Sequence, residues 1–362
     1  MTSARRTTAT RTFNPRPWAI VAAACVAASA AACSSSSPQE QADASGKLRS
    51  VQVAWSTSGD AYVPQAQGPW RFGEQFGLDQ KKDDITELSS HATAVQLLLS
   101  NRAEVVTGSF TAFVKTIQQG HDLRLFCPIQ GALTDEVVGI GDVTSIEQLT
   151  DPNVAVAVDS PGGLVDHVFN HVFEAHDMDM VVADLPNVQI LEDGGLRLAA
   201  LASGEAQVAV LDPFEIAQLK AQRDDVNTLS VVAEDMNSVG FVYAATKEWL
   251  DNNQDRAAAF CASVLEANKV ALEDFEAYTE WSNEAMDPAP AKETLEVNWN
   301  RANEFNVWPT DISTLSPETV KTDVEVAVRA GQLDQSALAL SYEDIVDIKP
   351  AEKAVELLDE KQ

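Results

Sequence analysis

Two aspartates that directly follow apolar, strand-like runs are the first candidates for ligand contact. Asp159 follows the run from Val154 to Val158, and Asp212 follows the run from Val208 to Leu211. Carboxylates at strand ends attract ligands that offer N–H donors or a positive charge. The sequence leaves a local alternative open, in which Asp159 caps the next helix and Asp212 braces the proline after it.

The four residues after Asp159 have the composition of a helix start. Ser160 suits an N-cap and Pro161 suits the first helical position. The free amides of Gly162, Gly163 and Leu164 could then hold an oxyanion. A capped helix with a tight turn is the simpler interpretation, and it is compatible with the binding role.

Hydroxyl-bearing and aromatic residues follow two other apolar runs. Trp55, Ser56 and Tyr62 offer hydroxyl groups and two ring planes, which suit a small polar ligand. Ser109 and Phe110 occupy a similar position later in the chain. For the rings the alternative is a place in the hydrophobic core.

The histidines suggest little catalytic chemistry. His91 precedes a predicted helix and either faces a ligand cleft or lies on a surface loop. His167 and His171 have the one-turn spacing of metal ligands, but the apolar side of their helix predicts that they lie on a solvated face. We therefore predict no metal site and no cofactor. No serine-nucleophile elbow, zinc-protease helix or phosphate-binding glycine loop occurs, so the sequence does not support an enzyme.

The elements that must position these residues show an internal repeat. Leu98–Val106 resembles Leu201–Ala209 at an offset of 103 residues, and each stretch has the pattern of a helix, a tight turn and a short apolar strand. Apolar strands alternate with amphipathic helices along the chain, which predicts mainly parallel α/β units. The chain is longer than one hydrophobic core usually supports, so we expect two lobes.

The beginning of the chain has the pattern of an export signal. Four arginines precede an apolar run over residues 17–32 that ends at Cys33. This predicts a signal peptide over residues 1–32, lipid attachment at Cys33 and a flexible tether over residues 33–47. A retained anchor and ordinary cleavage are the alternatives. We expect an exported, lipid-anchored protein on the outer face of the cell membrane, which touches the membrane only through its lipid.

The net charge limits the possible binding partners, and the cysteine content limits the possible disulfides. The net charge is −30, which argues against nucleic acid or anionic lipid as a partner. Apart from Cys25 and Cys33, only Cys127 and Cys261 remain, so one intrachain disulfide is possible. The apolar helical stripe around Cys261 favours a buried thiol over a bridge.

Several stretches resemble one family. Val63-Pro64 with Phe72–Asp79, and Ala199–Glu205 with Asp212–Phe214, are similar to extracytoplasmic solute-binding proteins of ABC importers, in the class that binds nitrate, sulfonates, taurine or thiamine precursors. The resemblance implies a two-lobed periplasmic-binding-protein-like fold, each lobe a mainly parallel sheet flanked by helices and joined by two crossover strands. It also implies a monomer that delivers a small molecule to a membrane permease.

The resemblance implies boundaries and a ligand class as well. We expect lobe I at residues 48–134 plus 241–362, lobe II at 135–240, and crossings near 135–141 and 231–240. No arginine lies in the candidate loops, so a charged nitrate or sulfonate would depend on amides, hydroxyls and helix ends. A taurine-like sulfonate fits these loops, and an aminopyrimidine or nitrate is the alternative. The cysteine-rich motif of the yeast pyrimidine-synthesising relatives is absent, which makes an enzyme of that kind the least favoured choice.

Overall fold

Strands and helices alternate over most of the chain. The computed structural model describes residues 46–56, 62–88, 91–235, 238–287 and 289–361. The predicted signal peptide, Cys33 and nearly all of the predicted tether lie outside these ranges. The strands are β1 Val53–Trp55, β2 Ile85–Glu87, β3 Val105–Ser109, β4 Leu123–Pro128, β5 Glu136–Ile140, β6 Val156–Val158, β7 Val188–Ile190, β8 Val208–Leu211, β9 Val226–Val231 and β10 Phe241–Thr246.

The helices cover the faces of the sheets. Short 3₁₀ turns join several of them. The α-helices are α1 Val63–Phe72, α2 His91–Leu99, α3 Phe110–Gln118, α4 Leu164–Ala175, α5 Gly194–Ser203, α6 Pro213–Lys220, α7 Val232–Asp235, α8 Lys247–Asn252, α9 Gln254–Glu273, α10 Phe275–Ala285, α11 Lys292–Glu304, α12 Pro317–Arg329, α13 Tyr342–Ile345 and α14 Lys349–Asp359.

The strands form two five-stranded sheets of matching design. The first has the order β2-β1-β3-β10-β4, and the second has the order β7-β6-β8-β5-β9. Within each sheet one strand, β10 or β5, runs antiparallel to both of its neighbours. The predicted fold class, two lobes with mainly parallel sheets flanked by helices, is confirmed.

Two connections pass between the sheets, at residues 129–135 and 232–240. The first lies earlier in the chain than the sequence predicts. The reason is that β5 is already paired with β8 and β9 of the second sheet, so the crossing has ended before β5 begins. The second connection includes α7.

The internal repeat extends to backbone detail. Val53 pairs with Val105 in the first sheet, and Val156 pairs with Val208 in the second sheet. Val156 and Val208 lie 103 positions after Val53 and Val105, which is the offset of the sequence repeat. The turn before each inner strand contains a left-handed residue, Asn101 in one unit and Gly204 in the other. Both β3 and β8 consist largely of buried residues, as expected for central strands covered on both faces.

Helices α4 and α12 belong to different lobes. In α4, Val168 and Phe169 pack into the core of the second sheet. In α12, Val320 and Val324 pack into the core of the first sheet. The two helices nevertheless contact each other, so their facing sides form part of the boundary between the lobes.

A disulfide joins the only two cysteines within the described ranges. Cys127 of β4 is bonded to Cys261 of α9, and both are fully buried in the core of the first lobe. The expectation of a buried thiol is corrected. The apolar stripe around Cys261 does indicate burial, but it cannot show that β4 brings a second sulfur to the same place.

Across the described part of the chain, no helix has both the length and the hydrophobicity that a membrane crossing requires.

Candidate functional site

A cavity of about 510 Å³ lies between the helices that follow β3 and β6. One wall belongs to the start of α3, the opposite wall to the start of α4 and to the segment that leads into β7, and the turn after α12 closes the side. The lining residues are Ser109, Thr111, Ala112, Lys115, Val158, Pro161, Gly162, Asp166, Val182, Ala183, Leu185, Val188, Ile190, Ala330, Gly331 and Gln332. A volume of this size suits a small organic molecule.

The start of α3 presents free backbone amides to this cavity. Ser109 is the N-cap residue, but its side chain makes no capping hydrogen bond. The N–H of Phe110 donates to the carbonyl of Gly240, and those of Thr111 and Ala112 belong to the first turn, where a helix leaves its amides without an acceptor four residues back. Unsatisfied amides and the positive end of the helix dipole make such a place attractive to an anion. Lys115, exposed on the next turn, adds a positive charge.

The start of α4 is occupied by the protein's own carboxylates. Asp159 accepts hydrogen bonds from the N–H groups of Ser160 at 2.7 Å and Val165 at 3.2 Å. The N–H of Gly162 donates to Asp166, and that of Gly163 donates to the Ser160 carbonyl. Neither Gly162 nor Gly163 therefore has a free amide for the predicted oxyanion in this conformation.

The cap of α4 differs from the prediction. The N-cap is Gly163, not Ser160, because the tight turn after Pro161 delays the helix to Leu164. A Cβ atom at Gly163 would lie 2.2 Å from a carboxylate oxygen of Asp159, so only glycine fits against that carboxylate. The structure thus supports the local alternative for Asp159.

Asp212 also caps its helix. Its carboxylate accepts the N–H of Glu215 at 2.7 Å, and the Glu215 side chain accepts the N–H of Asp212 at 3.2 Å. This reciprocal pair is a capping box. Asp212 therefore has a local structural role at the start of α6, which is the alternative that the sequence left open.

Ser56 and His91 meet at one threonine. Thr107 accepts the Ser56 hydroxyl at its carbonyl oxygen, 2.9 Å away, and accepts the Ser56 N–H at its hydroxyl, 2.8 Å away. Nδ1 of His91 lies 3.2 Å from the same carbonyl. Because a carbonyl can only accept, Nδ1 carries the proton and Nε2 is an acceptor. His91 Nε2 is buried and has no hydrogen-bond partner among the described residues, and burial lowers the pKa of the ring.

Of the aromatic residues predicted to contact the ligand, two are buried in the core and one is partly exposed. Trp55 is only 4% exposed and packs beside Tyr243, and Phe110 is fully buried, so both are core residues in this structure. Tyr62 is partly buried, with its ring edge-to-face against Phe241 at 5.4 Å between centroids. Tyr62 is therefore the predicted aromatic residue that keeps an exposed portion.

Asp135, in the first crossing, is a site candidate that the sequence interpretation missed. Burial, followed by the neighbouring carboxylates of Asp212 and Glu215, raises the pKa of Asp135 to about 7, while Arg197 acts in the opposite direction. Asp135 in turn raises the pKa of Tyr62 further, after burial itself. The pKa of Asp135 is thus coupled to Tyr62 of one lobe and to the start of α6 in the other. The available signal was an acidic pair at the start of an apolar strand, since Glu136 is the first residue of β5.

The histidine pair on α4 is buried, which corrects the predicted solvated face. His167 and His171 are turned toward α12 and the residues after it, where His167 Nδ1 lies 3.2 Å from Oε1 of Gln332. The sequence of α4 has one apolar side, which predicts that only this side is buried. In the folded chain α12 also covers the polar side, so the two histidines are buried as well.

Solved structures share this fold. The periplasmic aliphatic sulphonate binding protein of Escherichia coli superposes with a TM-score of 0.63 at 11% identity, over 81% of this chain and 97% of that one. The alkanesulfonate-binding protein of Xanthomonas axonopodis pv. citri, solved with MOPS bound, gives 0.59 at 11% identity, over 81% and 96%. The periplasmic nitrate-binding protein of Synechocystis gives 0.62 at 12% identity, over 86% and 89%. A comparison with curated proteins gives no match.

The sequence itself matches a defined family. The match, to the family described as NMT1/THI5 like, covers residues 75–277, which is more than half of the chain. It spans most of the first sheet, all of the second sheet and both connections between them. The chain therefore belongs to the NMT1/THI5-like family, and its fold is that of a two-lobed periplasmic binding protein.

Proposed function

We propose that this chain is the solute-binding component of an ABC-type importer and that it captures a small organic sulfonate of the taurine or alkanesulfonate type. The proposal includes lipid attachment at Cys33, delivery to a membrane permease, and lobes bounded at residues 48–134 plus 241–362 and 135–240. The named functions of the sulfonate- and nitrate-binding proteins of the same fold support this class of function.

The open start of α3 is the observation that carries the sulfonate proposal. Thr111 and Ala112 offer amides, Ser109 offers a hydroxyl, and Lys115 supplies the charge, all at one end of the cavity. The starts of α4 and α6 are filled by Asp159 and Asp212. An anionic head group is thus best accommodated at α3.

The opposite wall of the cavity favours an organic anion over nitrate. Val182, Leu185, Val188 and Ile190 give it an apolar surface. A sulfonate can bury its carbon chain there, whereas nitrate has nothing to bury. Contact with both lobes would favour the closed form, which is the form that the permease recognises in our proposal.

Calorimetric titration of the purified chain with taurine, an alkanesulfonate, nitrate and an aminopyrimidine tests the proposal. We expect a sulfonate to bind most tightly and to be recovered unchanged. Lys115→Gln should weaken sulfonate binding by about tenfold or more, because a charge-assisted contact contributes roughly 1.5–3 kcal/mol.

The matched control is Lys321→Gln, which removes an exposed lysine on α12 that faces Glu325 and does not line the cavity. Tighter binding of nitrate or the aminopyrimidine would contradict the sulfonate assignment. Chemical conversion of any of these compounds would contradict the receptor role itself.

A further inference from the structure

Three metal-ligating side chains meet in the interior where α4 faces α12. One ligand atom each from His167, His171 and Asp323 lies within 4.8 Å of the other two. All three side chains are buried, and Asp323 is completely inaccessible to solvent. Two histidines one helical turn apart with a carboxylate from another element are a donor set that binds zinc and related divalent ions.

The two atoms that face each other in this cluster make no hydrogen bond. His171 Nε2 and Asp323 Oδ1 are 3.5 Å apart, and neither makes a hydrogen bond with the described residues. A buried polar atom without a partner costs about 1–3 kcal/mol. A cation between the two atoms would satisfy both at once.

Side chains of the cluster make further hydrogen bonds to their neighbours. Asp323 accepts, at Oδ2, the hydroxyl of Ser238 at 2.9 Å and the N–H of Val239 at 2.8 Å. The His167 ring is fixed through Nδ1 by Gln332. Such supporting hydrogen bonds orient the ligands of known metal sites.

The cation nearest to His171 in its electrostatic effect is already paired. Arg329, whose charge acts on His171, forms an ion pair with Glu174 of α4.

The geometry allows an ion after small side-chain movements. Ligand atoms around a tetrahedral zinc ion stand about 3.3 Å apart, since each lies about 2.0 Å from the metal. The distance between His171 and Asp323 already has nearly this value. Gln332, which contacts His167, also lines the 510 Å³ cavity and marks a route of entry.

We propose that His167, His171 and Asp323 form a binding site for a zinc-like divalent ion that ties the two lobes together. The histidines come from the second lobe, and the aspartate comes from a helix packed on the first. Asp323 also holds the second crossing through Ser238 and Val239. An ion here restrains the movement of one lobe against the other and leaves a coordination position for water.

The test uses the purified full-length chain, stripped with a chelator, dialysed and titrated with ZnCl₂ in competition with a chromophoric chelator. We expect one Zn²⁺ per chain, a higher Tm with Zn²⁺, and a ligand-field spectrum typical of tetrahedral coordination with Co²⁺. His171→Asn and Asp323→Asn should each weaken Zn²⁺ binding by about 100-fold or more. Ser238→Ala should weaken it by about 10- to 100-fold.

The matched control is His176→Asn, which removes the histidine of another His–Asp pair, between His176 and Asp235, one turn beyond the cluster. It should leave Zn²⁺ binding unchanged. Urea unfolding of each metal-free variant separates loss of ligand from loss of fold, and Asp323→Asn retains the atoms needed to accept from Ser238 and Val239. Absence of stoichiometric Zn²⁺ binding, or full affinity in both folded ligand variants, would overturn the proposal.

Discussion

Ser109 and Asp212 occupy the same position in the two repeated units, yet only Asp212 caps its helix with its side chain. The residues are 103 positions apart, and each is the N-cap of the helix that follows its inner strand. In the second lobe the aspartate supplies the negative charge that a helix start attracts. In the first lobe the corresponding place is open toward the cavity.

Replacing Ser109 with aspartate should therefore increase the stability of the fold and weaken sulfonate binding. The new carboxylate would cap α3 and stabilise the fold by about 0.3–1 kcal/mol. The same charge would repel an anionic head group and weaken sulfonate binding by about tenfold or more. Urea unfolding and calorimetric titration of the Ser109→Asp variant measure the two effects.

The control for this variant is Ser316→Asp, at the N-cap of α12, where the serine already caps Thr319 and does not line the cavity. Ser316→Asp should change neither the free energy of unfolding nor the sulfonate affinity by much. If Ser109→Asp binds the sulfonate as tightly as the natural chain does, the head group does not lie at α3.

The apolar wall of the cavity predicts a dependence on ligand chain length. Ile190, at the end of β7, is 50% exposed and lines the cavity. Each methylene buried against this wall should improve affinity by about fourfold, from roughly 0.8 kcal/mol per CH₂. Ile190→Ser should flatten the trend across a series of alkanesulfonates of increasing length.

Leu196→Ser is the matched control, because Leu196 is 55% exposed on α5 but does not line the cavity. It should keep the natural dependence on chain length. A series with no such dependence in the unmodified chain would show that the carbon chain does not contact this wall.

The repeat explains why so much of the fold was predictable from the sequence. Leu98–Val106 and Leu201–Ala209 share a local pattern, and the turn in each depends on one left-handed residue, Asn101 or Gly204. Asparagine and glycine tolerate that conformation better than other residues. Local chemistry of this kind is readable without any knowledge of distant contacts.

Contacts between distant parts of the chain are what the sequence did not reveal. The burial of His171 depends on Asp323 and its helix, about 150 residues further on. The Cys127–Cys261 bridge spans 134 residues. The raised pKa of Asp135 depends in part on Asp212, which is 77 positions further along the chain. No local pattern specifies which of these segments meet.

The raised pKa of Asp135 predicts a particular pH dependence of stability. The folded chain holds this proton up to about pH 7, whereas the unfolded chain releases it near the usual value of 3.8. Stability therefore falls as the pH rises between these values, by up to about 1.4 kcal/mol per unit. Asp135→Asn removes this loss, so its stability relative to the natural chain should increase from pH 5 to pH 7 and then level off.

Urea unfolding of both proteins at pH 5, 6, 7 and 8 measures this difference. The exposed Asp142, replaced by asparagine, is the control and should give a difference that does not vary with pH. A constant difference for Asp135→Asn as well would mean that its carboxyl group titrates normally.

The disulfide should contribute a large share of the stability of the first lobe. It closes a loop of 134 residues, and the loss of chain entropy in the unfolded state predicts a contribution of about 5 kcal/mol, with measured values commonly nearer 2–4. The double variant Cys127→Ala/Cys261→Ala should lower the free energy of unfolding by about 2–5 kcal/mol, and dithiothreitol should lower that of the natural chain to a similar extent. Urea unfolding with and without reductant checks both, and the double variant should no longer respond to dithiothreitol. If proteolytic peptides of the natural chain under non-reducing conditions contain Cys127 and Cys261 as free thiols, the bridge does not form and no such loss should be found.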